Sequence, residues 1–166
     1  MPTSLPRWCI VLLLLTSPLA HAIKDGEVFQ DWRAKCVTTE NSAKPSCHIF
    51  QDLIQKESGK RVLHMAIGQL PDKQSVAVII TLPLGISLPP GLNVRVDKHD
   101  ARQIPLQSCF ANGCQAAFEL DAQWKAQLTK GNAAEVVFYN LKGQPIGIPV
   151  SLKGISAALR ALQGSK

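Results

Sequence analysis

Two pairs of cysteines limit the folds that this chain can adopt. Cys36 and Cys47 flank a polar, turn-rich segment, while Cys109 and Cys114 flank Ala111-Asn112-Gly113. The Asn-Gly step in the second segment is a strong signal for a hairpin turn. Four cysteines allow three disulfide pairings. We favour Cys36–Cys47 and Cys109–Cys114, because partners on either side of a turn can meet across two antiparallel strands.

The N-terminus predicts that these cysteines reach an oxidising compartment. Arg7 precedes an apolar run from Trp8 to Leu15, and Ala20-His21-Ala22 is a small-x-small cleavage signature. This order is typical of a secretory signal peptide over residues 1–22, cleaved after Ala22. The run is shorter than the roughly 20 apolar residues of a membrane-spanning helix, so an uncleaved anchor is the less favoured alternative. We expect a periplasmic protein, or one at the outer-membrane surface or secreted.

Other uses of the cysteines fit their spacing less well. A redox pair is usually Cys-x-x-Cys at the start of a helix, whereas Cys109 and Cys114 are further apart and lie among strand-like segments. A zinc site needs closely spaced ligands, and His64 and His99 are isolated from Cys47-His48. We therefore predict no metal and no cofactor, and keep a periplasmic redox enzyme using Cys109/Cys114 as an alternative.

Short apolar segments separated by turns dominate residues 23–166, which we interpret as one domain. Nine strands are expected: Val28–Val37, Cys47–Ile54, Arg61–Leu70, Ser75–Leu82, Leu92–Lys98, Gln103–Cys109, Cys114–Leu120, Glu135–Asn140 and Gln144–Leu152. Two helices are expected, Ala122–Thr129 between the caps Asp121 and Gly131, and Lys153–Gln163. Many short strands at this spacing predict a sandwich or a barrel. Pro145 and Pro149 indicate that the last strand lies at a sheet edge.

The chain carries no recognisable catalytic motif. It lacks the G-x-S-x-G, S-x-x-K, H-E-x-x-H and P-loop patterns. His48 and His64 fall within strands, and His99 lies in a charged turn, so none is a convincing general base. We predict that the protein is not an enzyme and has no catalytic residues.

The charge pattern argues against nucleic-acid binding. The net charge is +6, but the Lys and Arg residues are scattered and aromatics make up only 5% of the chain. A basic excess of this kind can also favour anionic envelope surfaces, although a generally solvated surface is the simpler interpretation.

The loop Pro83–Gly91 is the candidate binding element. Its prolines make it rigid, and Leu84, Ile86 and Leu88 could form an apolar patch. The alternative is that these side chains cap the core. Trp32 raises the same choice, between a core residue beside the Cys36 disulfide and an exposed recognition aromatic.

A spaced set of residues is similar to one known family. In chain order they are Trp32, Cys36, Cys47 and Gln51; Pro83-Leu84-Gly85, Leu88 and Gly91-Leu92; Cys109 and Gly113-Cys114; and Ser151-Leu152-Lys153-Gly154 with Ala157, Ala158 and Leu159. On these residues the chain resembles the invasion-associated locus B family of exported bacterial proteins. Ile155 departs from the pattern, where an aromatic is expected, but the change is conservative for a core position.

The resemblance implies a fold and a setting, but no reaction. It implies an immunoglobulin-like β-sandwich in the envelope of Gram-negative bacteria, and the namesake of the family is linked to entry into host red cells. We therefore predict a non-enzymatic binding or surface factor whose partner is an envelope or host-surface protein. Besides the redox alternative, a periplasmic chaperone or inhibitor could bind proteins by strand addition at the Pro145–Leu152 edge.

Overall fold

The computed structural model describes residues 23–38, 45–69 and 75–164. The predicted signal peptide, with its cleavage site after Ala22, lies outside the described residues. The strands are β1 Val28–Phe29, β2 Trp32–Val37, β3 Ser46–Ile54, β4 Arg61–Gln69, β5 Val76–Leu82, β6 Leu92–Val96, β7 Arg102–Ile104, β8 Ser108–Phe110, β9 Gly113–Glu119, β10 Ala133–Tyr139 and β11 Pro145–Ser151. The helices are α1 Ala122–Lys130 and α2 Ile155–Gly164.

The strands form two antiparallel sheets around one hydrophobic core. The larger sheet has the order β1-β2-β3-β4-β5-β9-β8, and the smaller sheet has the order β11-β10-β6-β7. In β4, Leu63, Met65 and Ile67 are fully buried and alternate with half-buried residues, because successive side chains of a strand point to opposite faces. The predicted mainly β sandwich with two helices and two disulfides is confirmed.

Both disulfides join directly opposed residues of neighbouring strands. Cys36 of β2 bonds to Cys47 of β3, with their Cα atoms 4.0 Å apart. Cys109 of β8 bonds to Cys114 of β9, with their Cα atoms 3.9 Å apart. Each bond therefore closes a hairpin of the larger sheet, and the two pairs are those that the sequence favours.

Both helices contribute buried side chains to the core. In α1 the Asp121 side chain caps the helix by accepting from Trp124 N (2.8 Å), and Trp124 and Leu128 are buried. The α2 helix buries one face against β1, β2, β3 and α1. It begins at Ile155 rather than at the predicted Lys153, since Lys153 belongs to the turn after β11.

Two predicted strands are each divided in the structure. The segment Val28–Val37 is a hairpin, because Gln30 has a φ of 57° and reverses the chain between β1 and β2. The segment Gln103–Cys109 was also wrong as one strand. Pro105 separates β7 of the smaller sheet from β8 of the larger sheet, since proline has no N–H to continue a ladder.

Candidate functional site: a groove between two strand edges

The predicted binding loop presents only part of its apolar surface. Leu84 and Leu88 are 56% and 47% exposed, whereas Ile86 is 8% exposed and forms a β-bridge with Asn140. Ile86 is therefore a core residue, and its prediction as a binding residue is corrected. Leu141 in the adjacent hairpin turn is 77% exposed and was not predicted, although a leucine in a polar turn is a visible signal. We call Leu84, Leu88 and Leu141 the leucine patch.

A larger feature lies on another part of the molecule. A groove of about 930 Å³ runs between the β1–β2 turn, the end of β3 and the end of β11. Its exposed lining residues include Asp31, Arg33, Asp52, Ile54 and Lys153. This volume is near the upper end of the range typical of ligand sites, which is about 300–1,000 Å³. The groove is therefore the candidate functional site.

One wall of the groove is the free edge of β11. Leu152 N donates to Asn132 O (3.2 Å), and Asn140 N donates to Gln144 O (3.0 Å), so the even-numbered residues of β11 bond toward β10. The odd-numbered residues therefore direct their backbone groups to the free edge. These residues are Pro145, Gly147, Pro149 and Ser151.

Ser151 is already bonded within the protein. Its carbonyl accepts from Trp32 Nε1 (3.0 Å) and from Gln51 Nε2 (3.2 Å), and its N–H donates to Gln51 Oε1 (3.2 Å). Trp32 is fully buried and Gln51 is only 6% exposed. Trp32 is thus a core residue whose polar atom bonds to the opposite sheet, and not an exposed recognition aromatic. We call Trp32, Gln51 and Ser151 the seam, because they join the two sheets through buried hydrogen bonds.

Gly154, three residues after Ser151, allows the chain that follows β11 to approach the backbone of β1 closely. It has a φ of +87°, which favours glycine, and an added Cβ would overlap Phe29 O of β1. Trp32, Gln51 and Ser151, three of the residues on which the family resemblance rests, therefore meet at the junction of the two sheets beside the groove, while Gly154 lies against Phe29.

The opposite wall of the groove is set by how β2 pairs with β3. Ala34 donates its N–H to Glu27 O (2.8 Å) and accepts from Gly26 N (3.0 Å), so it bonds away from β3. Its neighbours along β2 therefore bond toward β3. The last such pair is Arg33 with Phe50.

Strand β3 continues beyond the part that β2 covers. Asp52 shares the alternation of Phe50, so its backbone N–H and C=O groups point to the side where β2 would continue. The β3–β4 register shifts between Leu53 and Ile54, but Gln55 N still donates to Lys60 O (2.9 Å) on the β4 side, so the backbone groups of Ile54 also point toward the groove. The chain turns away there instead, and Asp31 O accepts from Gln51 Nε2 (3.0 Å). Among the described residues, no backbone group bonds to Asp52 or Ile54 from that side. We call Asp52–Ile54 the open end of β3.

The charged groups of the groove differ in their pairing. The Asp52 carboxylate accepts from His64 Nδ1 (2.9 Å) and lies 3.5 Å from Arg61 Nη1. Within residues 23–38, 45–69 and 75–164, the side chains of Arg33, Lys153 and Asp31 form no ion pair. The groove thus carries two unpaired cations and one unpaired carboxylate.

The outer face of the larger sheet carries an aromatic row. The Phe50 ring lies between His48 (6.0 Å between centroids) and His64 (5.6 Å). Burial lowers the pKa of His48, and the nearby charges of His64 and Lys35 lower it further. The row therefore favours a neutral His48 at physiological pH.

Among the described residues, no hydroxyl or thiol is hydrogen-bonded to His64 of the Asp52–His64 pair. The residue opposite His64 on β5 is Thr81, which is buried and whose hydroxyl accepts from Gln115 Nε2 (3.4 Å). An activated nucleophile would instead need its hydroxyl directed at the histidine. In the part of the chain that the structure describes, no three His, Cys, Asp or Glu residues are grouped to hold a metal ion.

The helices give no sign of a membrane span. Across the described ranges, neither helix has the length and apolar character needed to cross a bilayer.

Comparisons with known proteins agree with the fold. The family model described as invasion associated locus B protein matches residues 32–163. Invasion protein B homologs from two strains of Brucella abortus are each 28% identical over 138 residues, which cover 82% of this chain and 78% of theirs. The crystal structure of invasion associated protein B from Bartonella henselae superposes with a TM-score of 0.73 at 22% identity, covering 82% of this chain and 93% of that one. This chain therefore belongs to the invasion associated locus B family.

Proposed function

We propose that this protein is exported and acts as a non-enzymatic binding factor in host-cell interaction, with the groove as its contact site. Family membership and the names of its Brucella relatives support a role connected with invasion. Two cross-strand disulfides support an oxidising, extracytoplasmic location. The partner is an envelope or host-surface protein, and binding requires no cofactor.

One observation carries the choice of site. The groove combines unused backbone hydrogen-bonding groups at the open end of β3 with the unpaired cations Arg33 and Lys153. Unused donors, acceptors and charges are what a partner can satisfy on binding, whereas the seam beside them is already internally bonded. The leucine patch offers apolar area alone and is the rival contact site.

The alternatives receive no comparable support. Cys114 is buried and is bonded across a hairpin to the exposed Cys109, and both lie on strands rather than at the start of a helix, where redox pairs usually lie. Strand addition at β11 would need free N–H groups. Pro145 and Pro149 have none, and the N–H of Ser151 is bonded to Gln51, so of the four residues that face this edge only Gly147 can donate.

The location is tested first, by treating intact cells with protease. A periplasmic protein serves as the control, and the chain is followed by antibody. Shaving or release of the chain while the control survives would support contact with a host surface. Protection until the outer membrane is opened would place the partner in the periplasm. Retention of the whole chain in the cytoplasm would contradict the proposal.

The site is tested by pull-down of surface-labelled host and envelope proteins. The groove variant Arg33→Glu/Lys153→Glu should lose the partner about ten-fold or more, because it reverses both unpaired cations. The control variant Lys98→Glu/Arg160→Glu makes the same charge change at exposed positions elsewhere. Loss with Leu84→Ser/Leu88→Ser but not with the groove variant would move the site to the leucine patch. Absence of any partner that distinguishes these variants would overturn the proposed function.

A further inference from the structure

We infer that the groove binds an extended segment of a partner polypeptide, which pairs with the open end of β3 in the place that β2 leaves empty. This inference rests on the proposed function and names the chemistry of the partner. It is carried by the hydrogen-bonding pattern of the backbone at this site.

The open end of β3 has the groups that a strand requires. Asp52 and Ile54 each present one N–H and one C=O toward the groove. The added segment would lie in line with β2 and bond to β3 as β2 does between Arg33 and Phe50. Strand addition of this kind supplies affinity through main-chain hydrogen bonds and specificity through alternate side chains.

The facing wall does not compete for the segment. Pro149 of β11 has no N–H, and both backbone groups of Ser151 are bonded within the seam. Pro149 keeps its carbonyl as an acceptor, but one acceptor without a neighbouring N–H cannot form a ladder, so a strand in the groove forms its ladder with β3. This asymmetry assigns the segment to the larger sheet.

The side chains of the groove indicate the composition of the segment. Ile54 is 51% exposed, and Phe50 and Leu53 are half-buried, so apolar side chains of the segment would find contacts there. The Asp52 carboxylate is already paired with His64 and Arg61. The two unpaired cations Arg33 and Lys153 exceed the single unpaired carboxylate of Asp31. The resulting net positive charge of the groove favours acidic side chains in the segment. We expect apolar and acidic residues in alternation.

The test uses a random seven-residue peptide library displayed on phage as the probe. The wild-type chain is the bait, and the folded variant Arg33→Glu/Lys153→Glu is used for counter-selection. Selected peptides are then synthesised in two forms, unmodified and with alternate backbone amides N-methylated, which keeps the side chains but removes donors of the ladder. Amide hydrogen exchange of Asp52 and Ile54 is followed by NMR with each form.

The inference predicts peptides that alternate apolar and acidic residues. Methylation of one set of alternate amides should weaken binding about ten-fold or more, while methylation of the other set should have a smaller effect, because only every second residue of an edge strand bonds to its neighbour. The unmodified peptide should slow exchange of the Asp52 and Ile54 amides, and Lys98→Glu/Arg160→Glu should bind it normally.

Failure of this inference can be distinguished from failure of the proposed function. If no peptide discriminates between wild type and the groove variant, or if methylation at either set has no effect, the extended-segment model is wrong. If the pull-down partner is nevertheless lost by the groove variant, the groove remains the contact site and recognises a folded surface. If neither probe distinguishes the variants, both proposals fail.

Discussion

The groove is bordered by two strand edges that differ in chemistry. At the edge of β11, Pro145 and Pro149 have no N–H, and Ser151 is bonded to Trp32 and Gln51. At the open end of β3, the backbone of Asp52–Ile54 has no partner among the described residues on the groove side. Exposed strand edges invite association, and proteins usually protect them. The contrast is the basis of the proposal that a partner binds at the open end of β3 rather than at β11, where only Gly147 can donate.

The largest expected effect on stability comes from substituting Gly154, which lies after β11 and packs against β1. We expect Gly154→Ala to lower the free energy of unfolding by about 3 kcal/mol or more, because the methyl group overlaps Phe29 O at a positive φ. Gly143→Ala is the matched control, since Gly143 also has a positive φ but has nothing within 4 Å of an added Cβ. It should cost about 1 kcal/mol. Urea unfolding measures both, and equal losses would show that the contact with β1 is not limiting.

The next effect tests the buried hydrogen bonds of the seam. Gln51→Leu should lower the free energy of unfolding by about 1–3 kcal/mol, because it leaves Ser151 N and Asp31 O without their partner. Gln123→Leu makes the same change at an exposed position of α1 and should have little effect. A stability of Gln51→Leu equal to that of its control would argue against the seam as the link between the sheets.

Restoring N–H groups at the β11 edge is expected to change stability less, but to make the protein self-associate. The double variant Pro145→Val/Pro149→Val restores two N–H groups there and should alter stability by less than about 1 kcal/mol while promoting self-association. Analytical ultracentrifugation over a concentration series measures this, with the exposed loop substitution Pro89→Val as the control. A double variant that associates no more than this control would mean that the prolines do not protect the edge.

The smallest effect concerns how His48, on the outer face of the larger sheet, makes stability depend on pH. Because the pKa of His48 is lowered in the folded protein, chiefly by burial, the unfolded chain binds more protons there as the pH falls. The contribution of His48 to stability is therefore complete at pH values well above the pKa of histidine in the unfolded chain, about 6.5. It declines as the pH falls below that value. His48→Gln should lose less stability than wild type between pH 7 and pH 5, as measured by thermal unfolding. Parallel profiles would contradict this assignment.

The β11 edge was largely predictable from sequence, because its chemistry is local. Pro145 and Pro149 indicate an edge strand without reference to any other segment. The cysteine pairs on either side of turn-rich segments likewise indicated the two hairpins. The Asp121 cap and the buried Trp124 of α1 follow from spacing within one helix.

The open edge could not be predicted, because it depends on contacts between distant segments. Its existence requires that Gln30 adopt a positive φ and turn the chain away from β3, which the segment Val28–Val37, predicted as one strand, does not reveal. The Asp52–His64 pair depends on the register of β3 against β4. Ile86 was misassigned for the same reason, since its burial depends on the β-bridge to Asn140.

Residue-resolved amide hydrogen exchange of the unbound protein tests the contrast between the two edges most directly. The account predicts that the Ser151 amide exchanges slowly, because it donates to the buried Gln51, and that the amides of Asp52 and Ile54 exchange at rates close to those of an unstructured chain. The Ile49 amide, within the β3–β4 ladder, provides the protected reference. Protection of Asp52 and Ile54 equal to that of Ile49 would show that the end of β3 is already paired, and would contradict the groove as a binding site for an added strand.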